Sequence, residues 1–272
     1  MTEKEMRPIK NAEKKQKALL RLLTVVAALR APDGCPWDRA QTSKSFLGPF
    51  LEEAYEMIDA VENGAPEDVC EEAGDVLLHA LMQAQVFEEQ GLFDIGDVAE
   101  AEADKLVNRH PHVFGSLKVK NTEEILVNWE AIKKKEKASK RHSVLDGVPK
   151  TLPALAQAEA IHRKAAKQGF DWPNIEEVWQ KVQEEETELK EAQKEGNSSH
   201  IAEEFGDLLA ALVNLARFLK IDPEQALRQA NDKFRRRFQF LEAKAQEEGR
   251  EINALSLEEM DKLWNEAKKA GL

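Results

Sequence analysis

The chain has 272 residues, of which 42% are apolar and 33% charged, and a formal net charge of −12. That length allows one large domain or two of ordinary size, and the apolar content suffices for a core, which excludes global disorder. The acidic balance argues against a broad nucleic-acid or anionic-membrane surface, so an anionic substrate would need a metal to mediate.

Ala, Leu, Glu and Lys dominate, Gly (13) and Pro (10) are sparse, and strand-type alternation is hard to find, so an all-α fold is expected. The N-terminal MTEKEMRPIKNAEKKQK is charged and lacks the apolar core of a signal peptide. No apolar run approaches the roughly 18 residues of a membrane span. The only cysteines, Cys35 and Cys70, form neither a CxxC pair nor a disulfide framework, which suits a reducing cytoplasm.

Along the chain, a first helix leads to GCPW (34–37), read as a tryptophan-bearing loop. LEEAYEMIDA follows as an amphipathic helix. Leu51, Ala54, Tyr55, Ile58 and Val61 form an apolar stripe, and Glu52, Glu53, Glu56 and Asp59 lie on a separate arc. A turn at Asn63-Gly64-Ala65-Pro66 brings back EEAGDVLLHAL as an antiparallel neighbour. There Val76, Leu77, Leu78, Leu81, Met82 and Phe87 cover almost the whole circumference, leaving Glu72 and Asp75 on one narrow stripe of a helix expected to pack on most sides. A basic helix carries Lys105 and Arg109, RHPHVFG (109–115) reads as structural, and a terminal helix carries Trp129. KKKEKASKRHSVLDGVPKTLP (133–153) reads as a linker.

The pattern then repeats. LEEAYE and EEAGDVLLHAL (71–81) recur as QEEETE (183–188) and EEFGDLLAALV (203–213), both at an offset of 132 residues. GFDW (169–172) answers GCPW, KFRRR (233–237) answers KLVNR (105–109), and Trp264 answers Trp129. Two tandem helical domains are expected, 15–140 and 150–272.

Like charges grouped in a partly buried site are unfavourable unless protons or cations neutralise them: two carboxylates about 4 Å apart repel by about 4 kcal/mol at an effective dielectric near 20. Carboxylate-only ligation suits a hard cation, Mg²⁺ or Mn²⁺. Glu53, Glu56, Glu72 and Asp75 make one candidate quartet, and Glu185, Glu188, Glu204 and Asp207 the other. Gly74 and Gly206, each beside the aspartate, cost about 1 kcal/mol in a helix and are read as permitting close approach of the first acidic helix. His79 maps onto Ala211 and His110/His112 onto Phe238/Phe240, so chemistry common to both copies does not need them.

EExxE, a fifteen-residue spacer and ExxD on paired helices, with GCPWD, RHPHVFG, GFDW and KFRRRF in order, resemble the two-domain MazG family of all-α nucleoside triphosphate pyrophosphohydrolases over nearly the whole chain. The resemblance implies two MazG-like helical bundles, homodimerisation, and Mg²⁺-dependent cleavage of NTPs and dNTPs between the α and β phosphates to give NMP and pyrophosphate. It also implies that the C-terminal copy is the competent one. Lys181, one turn before Glu185, has Pro49 as its counterpart in the first copy. The expected C-terminal site comprises the quartet, Glu184 as candidate base for the attacking water, and Lys181, Lys233 and Arg237 on the phosphates. Trp264 would stack on the base or close the pocket. Lys105, Arg109 and Trp129 are the first-copy counterparts. A narrower pyrophosphohydrolase acting on dUTP or phosphoribosyl-ATP, and a non-catalytic helical interaction module, are the alternatives. No GxxxxGK[ST] loop is present, which argues against a P-loop ATPase.

Overall fold

The computed structural model describes residues 8–137 and 143–272. The described residues are helical, with no strand among them. The chain divides into two compact units, Met1–Ala138 and Ser139–Leu272.

In the first unit the helices are α1 (Ala12–Arg30), α2 (Pro36–Ala40), α3 (Leu47–Asn63), α4 (Pro66–Glu88), α5 (Ile95–Arg109), α6 (Pro111–Phe114) and α7 (Thr122–Lys137). The second unit holds α8 (Ala154–Ala166), α9 (Ile175–Glu195), α10 (Ser198–Phe218), α11 (Pro223–Glu247) and α12 (Leu257–Lys269). Of the linker segment, residues 138–142 lie outside the described residues. Val144–Gly147 forms a single 3₁₀ turn against α8, upstream of the expected start at residue 150.

Local chemistry places the helix ends. Only Gly64 and Ala65 separate α3 from α4; Pro66 opens α4 where its missing N–H costs nothing, and Asp68 accepts from the Ala65 N–H at 2.7 Å. Gly196, at φ 74°, closes α9 in the left-handed conformation, and Asn197 caps α10 by accepting from the Ser199 N–H at 3.1 Å. Such short turns fold α3 onto α4 and α9 onto α10 as antiparallel hairpins.

Each hairpin carries the same inward heptad. Phe46, Glu53, Met57 and Ala60 on one side answer Val178, Glu185, Leu189 and Ala192 on the other, all at the 132-residue offset. Phe46 and Val178 are buried, as are Ala60 and Ala192. Leu81 and Met82 of α4 are buried with Val26 and Val86, and Val213, Asn214 and Leu215 of α10 are buried in the second unit. Full burial of side chains of this kind contributes about 1.5–3 kcal/mol each.

Two expectations are corrected, the tryptophan-bearing loop at 34–37 and a second acidic helix packed on most sides, and two further features emerge. Trp37 sits in the short helix α2, which Pro36 opens, and not in a loop. The apolar stripe of α3 faces outward: Leu51 is 52% and Val61 61% exposed, because Glu53, Met57 and Ala60 occupy the seam with α4. The second hairpin helices are likewise open on one side, since Leu77 of α4 and Phe205, Leu209 and Leu212 of α10 are exposed. RHPHVFG also breaks a helix that its counterpart continues. Pro111 ends α5, whereas Phe238 to Phe240 continue α11 to Glu247.

Candidate active site

The inward heptad leaves one acid of each first hairpin helix facing the second. Glu185 is 6% exposed, the more buried of the pair, and Glu53 is half-buried. Glu188 and Glu56 follow one turn later, and Glu204 and Glu72 reach across from the partner helix. Single carboxylate oxygens of Glu53, Glu56 and Glu72 all lie within 4.8 Å of one another, and so do those of Glu185, Glu188 and Glu204. Three of each predicted quartet therefore converge. The aspartates stand at the margin: Asp75 is half-buried and Asp207 exposed.

The electrostatics are those of uncompensated acids. Burial, then the Glu56 and Asp75 carboxylates, raise Glu53 above the ordinary glutamate value, and the same causes raise Glu72. Glu188 is raised by burial and then by Glu185, with Lys181 opposing. Glu72 Oε2 is shielded from water and has no hydrogen-bond donor among the described residues. An orphaned oxygen on an acid grouped with two others is a position that a cation satisfies. The donor set is all oxygen in both clusters, which fits a hard divalent ion.

The surroundings differ between copies. In the second, Lys181 Nζ lies 2.8 Å from both Glu184 and Glu185, and those contacts raise the lysine. His200 spans Glu195 (3.0 Å) and Glu204 (3.1 Å), and its pKa is raised by these acids, Glu195 first. The sequence reading missed His200, although its position four residues before Glu204 was the available signal. In the first copy His79 Nε2 is 3.9 Å from Glu53, with the ring held edge-on by Phe46 and Phe50. Gly74 and Gly206 do not mark a close approach, because a Cβ at either position would meet nothing within 4 Å. Both glycines point away from the seam.

The basic residues also separate the copies. Lys105 pairs with Glu102, and Arg109 pairs with Glu136 at 2.6 Å, so acids of the first unit already occupy both. Lys133 Nζ sits 3.6 Å over the Trp129 ring. In the second unit Lys233 is exposed, and Arg237 donates to the Leu272 carbonyl at 2.7 Å. Trp264 packs on Phe234 at 5.0 Å between ring centroids and lies 5.6 Å below the Arg237 guanidinium. Neither Lys233 nor Arg237 pairs with a cluster carboxylate among the described residues. Lys181 is the lysine that contacts the acids directly.

These features match a known domain. The model for the "MazG nucleotide pyrophosphohydrolase domain" matches residues 41–114 and again 174–239, which take in both acidic hairpins. The chain is 42% identical over 253 residues to the "Nucleoside triphosphate pyrophosphohydrolase" of Escherichia coli K12, covering 92% of this chain and 96% of that one. It is 41% identical over 247 residues to the "Nucleoside triphosphate pyrophosphohydrolase/pyrophosphatase MazG" of Thermotoga maritima, covering 91% and 94%. "Uncharacterized protein YabN" of Bacillus subtilis is 47% identical over 247 residues, and there this chain spans 50% of the relative's length. A solved structure of a mazG-related protein from Thermotoga maritima aligns with 42% of this chain and 98% of its own, at 28% identity and a TM-score of 0.37. With the domain present twice and relatives of this similarity matched almost end to end, the chain belongs to the MazG family.

Proposed function

We propose that this protein is a Mg²⁺-dependent nucleoside triphosphate pyrophosphohydrolase, cleaving NTPs and dNTPs between the α and β phosphates to NMP or dNMP and pyrophosphate, with the C-terminal unit as the catalytic one. The observation that carries the reading is the convergence of Glu185, Glu188 and Glu204 beside Lys181, in a family whose relatives are named for this activity. The choice of copy rests on the basic residues. Those of the first unit are tied to Glu102 and Glu136, whereas Lys233 and Arg237 make no ion pair with an acid of the second unit among the described residues.

Glu185, Glu188 and Glu204 would hold the divalent ion, with Asp207, exposed one turn along from Glu204, as a further ligand. When bound, Mg²⁺ (or Mn²⁺) offsets triphosphate charge and makes water a better nucleophile. Glu184 takes the proton of the water that attacks the α phosphorus. The new bond is from the water oxygen to the α phosphorus. The bond to the bridging oxygen breaks, and its electron pair leaves with pyrophosphate. Lys181, already in contact with Glu184 and Glu185, swings to a phosphate oxygen, while Lys233 and Arg237 hold the departing phosphates. Trp264, braced by Phe234, offers a face to the base.

A second copy of the chain is the proposed cover for the outward apolar faces, Leu51, Tyr55, Ile58 and Val61 on α3 and Phe205, Leu209 and Leu212 on α10, giving a homodimer. The reaction is assigned to the cytoplasm; no helix among the described residues is long and apolar enough to cross a membrane. Neither nucleic acid nor a lipid surface is a proposed partner. Product analysis with Mg²⁺ across the common NTPs and dNTPs tests the reading. NMP with pyrophosphate is expected; NDP with phosphate would overturn the cleavage position, and no turnover of any triphosphate would favour a non-catalytic module.

A further inference from the structure

The two acidic clusters share their carboxylates but not their counter-charges. In the C-terminal cluster two of the three acids already hold a side chain of the protein: Lys181 lies 2.8 Å from Glu185, and His200 3.1 Å from Glu204. At the 132-residue offset the first unit has Pro49 in place of Lys181 and Asp68 in place of His200. Pro49 has no charge to offer, and Asp68 adds a further acid, which caps α4 at the Ala65 N–H. The imidazole present there, His79, comes from α4 and stands 3.9 Å from Glu53, and its Nδ1 is buried without a partner among the described residues. Glu72 Oε2 is orphaned as well.

Resting on the reading of both clusters as metal sites, we infer that the copies bind divalent cations on different terms. The N-terminal cluster takes one without nucleotide, whereas Lys181 weakens the C-terminal cluster for a cation until a triphosphate draws the ammonium away. An ammonium at 2.8 Å from a carboxylate oxygen of Glu185 competes for the lone pairs the ion needs and repels the ion itself. A triphosphate reverses this, because its oxygens are a better partner for Lys181 than a carboxylate that a divalent ion can claim. The N-terminal cluster is then a resident structural site, and the C-terminal cluster is loaded together with substrate. The same logic explains why the first unit can spend Lys105 and Arg109 on its own acids: a site that holds only a cation needs no phosphate clamp.

Titration of the nucleotide-free full-length chain with Mn²⁺, read by loss of the free-ion electron paramagnetic resonance signal, tests this without reference to activity. Two classes of site are expected, separated by about tenfold or more, the scale set by one nearby unit charge. Glu72→Gln should remove the tight class and spare the weak one; Glu204→Gln should do the reverse. Lys181→Gln, with Lys181→Met as a second variant, should tighten the weak class by about tenfold and leave the tight class in place. A triphosphate with a non-hydrolysable α,β bridge should tighten the weak class in the parent chain and much less in either Lys181 variant. Two equal sites, a tight class lost with Glu204→Gln, or a weak class indifferent to both Lys181 variants would overturn the inference and leave the metal-site reading standing. No Mn²⁺ bound at either cluster, with or without the triphosphate, would overturn both.

Discussion

Glu204→Gln separates chemistry from folding, because the acids that would hold the cation also oppose one another without it. The side chains of Glu185 and Glu204 are 8% and 15% exposed, and their ligand oxygens lie within 4.8 Å. Two unit charges at that separation repel by about 3.5 kcal/mol at an effective dielectric of 20 and by about 0.9 kcal/mol in water. The Lys181 ammonium at 2.8 Å from Glu185 offsets part of this, which leaves about 1–2 kcal/mol. Measured at alkaline pH, where His200 is neutral and its attraction to Glu204 is lost in parent and variant alike, the substitution removes mainly the repulsion. Its removal should raise the melting temperature of the second unit in EDTA by roughly 4–8 °C, taking about 4 °C per kcal/mol for a unit of this size. Calorimetry of the full chain in EDTA and in Mg²⁺, paired with a pyrophosphate-release assay, reads both halves. The variant should melt above the parent in EDTA, show no Mg²⁺-dependent gain in that transition, and release no pyrophosphate. A variant that melts below the parent in EDTA, or that keeps turning over, refutes the reasoning.

Other substitutions reach different parts of the molecule. Val178→Ala, at a side chain 1% exposed, should cost roughly 2 kcal/mol through reduced burial and a cavity, seen as a lower melting temperature with pyrophosphate release at 25 °C retained. Hydrogen bonds from Arg250 and then Ser256 hold Glu259 down at about 2, below its ordinary value near 4.5. Its contribution is present above the unfolded pKa and lost as pH falls through the folded one, so the difference in melting temperature between the parent and Glu259→Gln should shrink between pH 4.5 and pH 2. Leu209→Glu, on the outward face of α10, should convert a dimer to a monomer by light scattering while leaving the helical circular dichroism unchanged. Arg237→Ala should lower turnover by tenfold or more, the order of one charge-assisted hydrogen bond to a phosphate, and Arg109→Ala should not; equal effects would put the first unit into the reaction.

Much of the fold was readable because it depends on short-range features. Pro66 and Gly196 fix where α4 begins and α9 ends from their own backbone chemistry, and a 132-residue offset needs no structure to be seen. Of the four acids expected in each cluster three converge, and that much was readable, since two antiparallel helices joined by a two-residue turn bring facing positions into register. Which face of α3 is inward was not. Leu51, Tyr55, Ile58 and Val61 look like a core stripe by periodicity alone, yet the seam with α4 takes Glu53, Met57 and Ala60. Periodicity reports that a face is apolar and cannot say whether the same chain or another molecule covers it. The glycines misled for a related reason: a costly residue in a helix signals a constraint, and among the described residues no neighbouring helix comes within 4 Å of where their Cβ would stand.

The sequence by itself determined that the chain is helical and duplicated, that each copy carries a paired set of carboxylates, and which family's motifs it bears. These follow from spacing, composition and turn chemistry, which act over a few residues. Only the tertiary structure decided how the charges are shared out. It placed Lys181 and His200 on the second cluster and left Glu72 Oε2 without a partner in the first. It also tied Arg109 to Glu136 across 27 positions while turning Arg237 to the Leu272 carbonyl. Ion pairing is a matter of distance between side chains that sequence separates, and near-identical acidic motifs acquire different electrostatics from the residues that folding sets beside them.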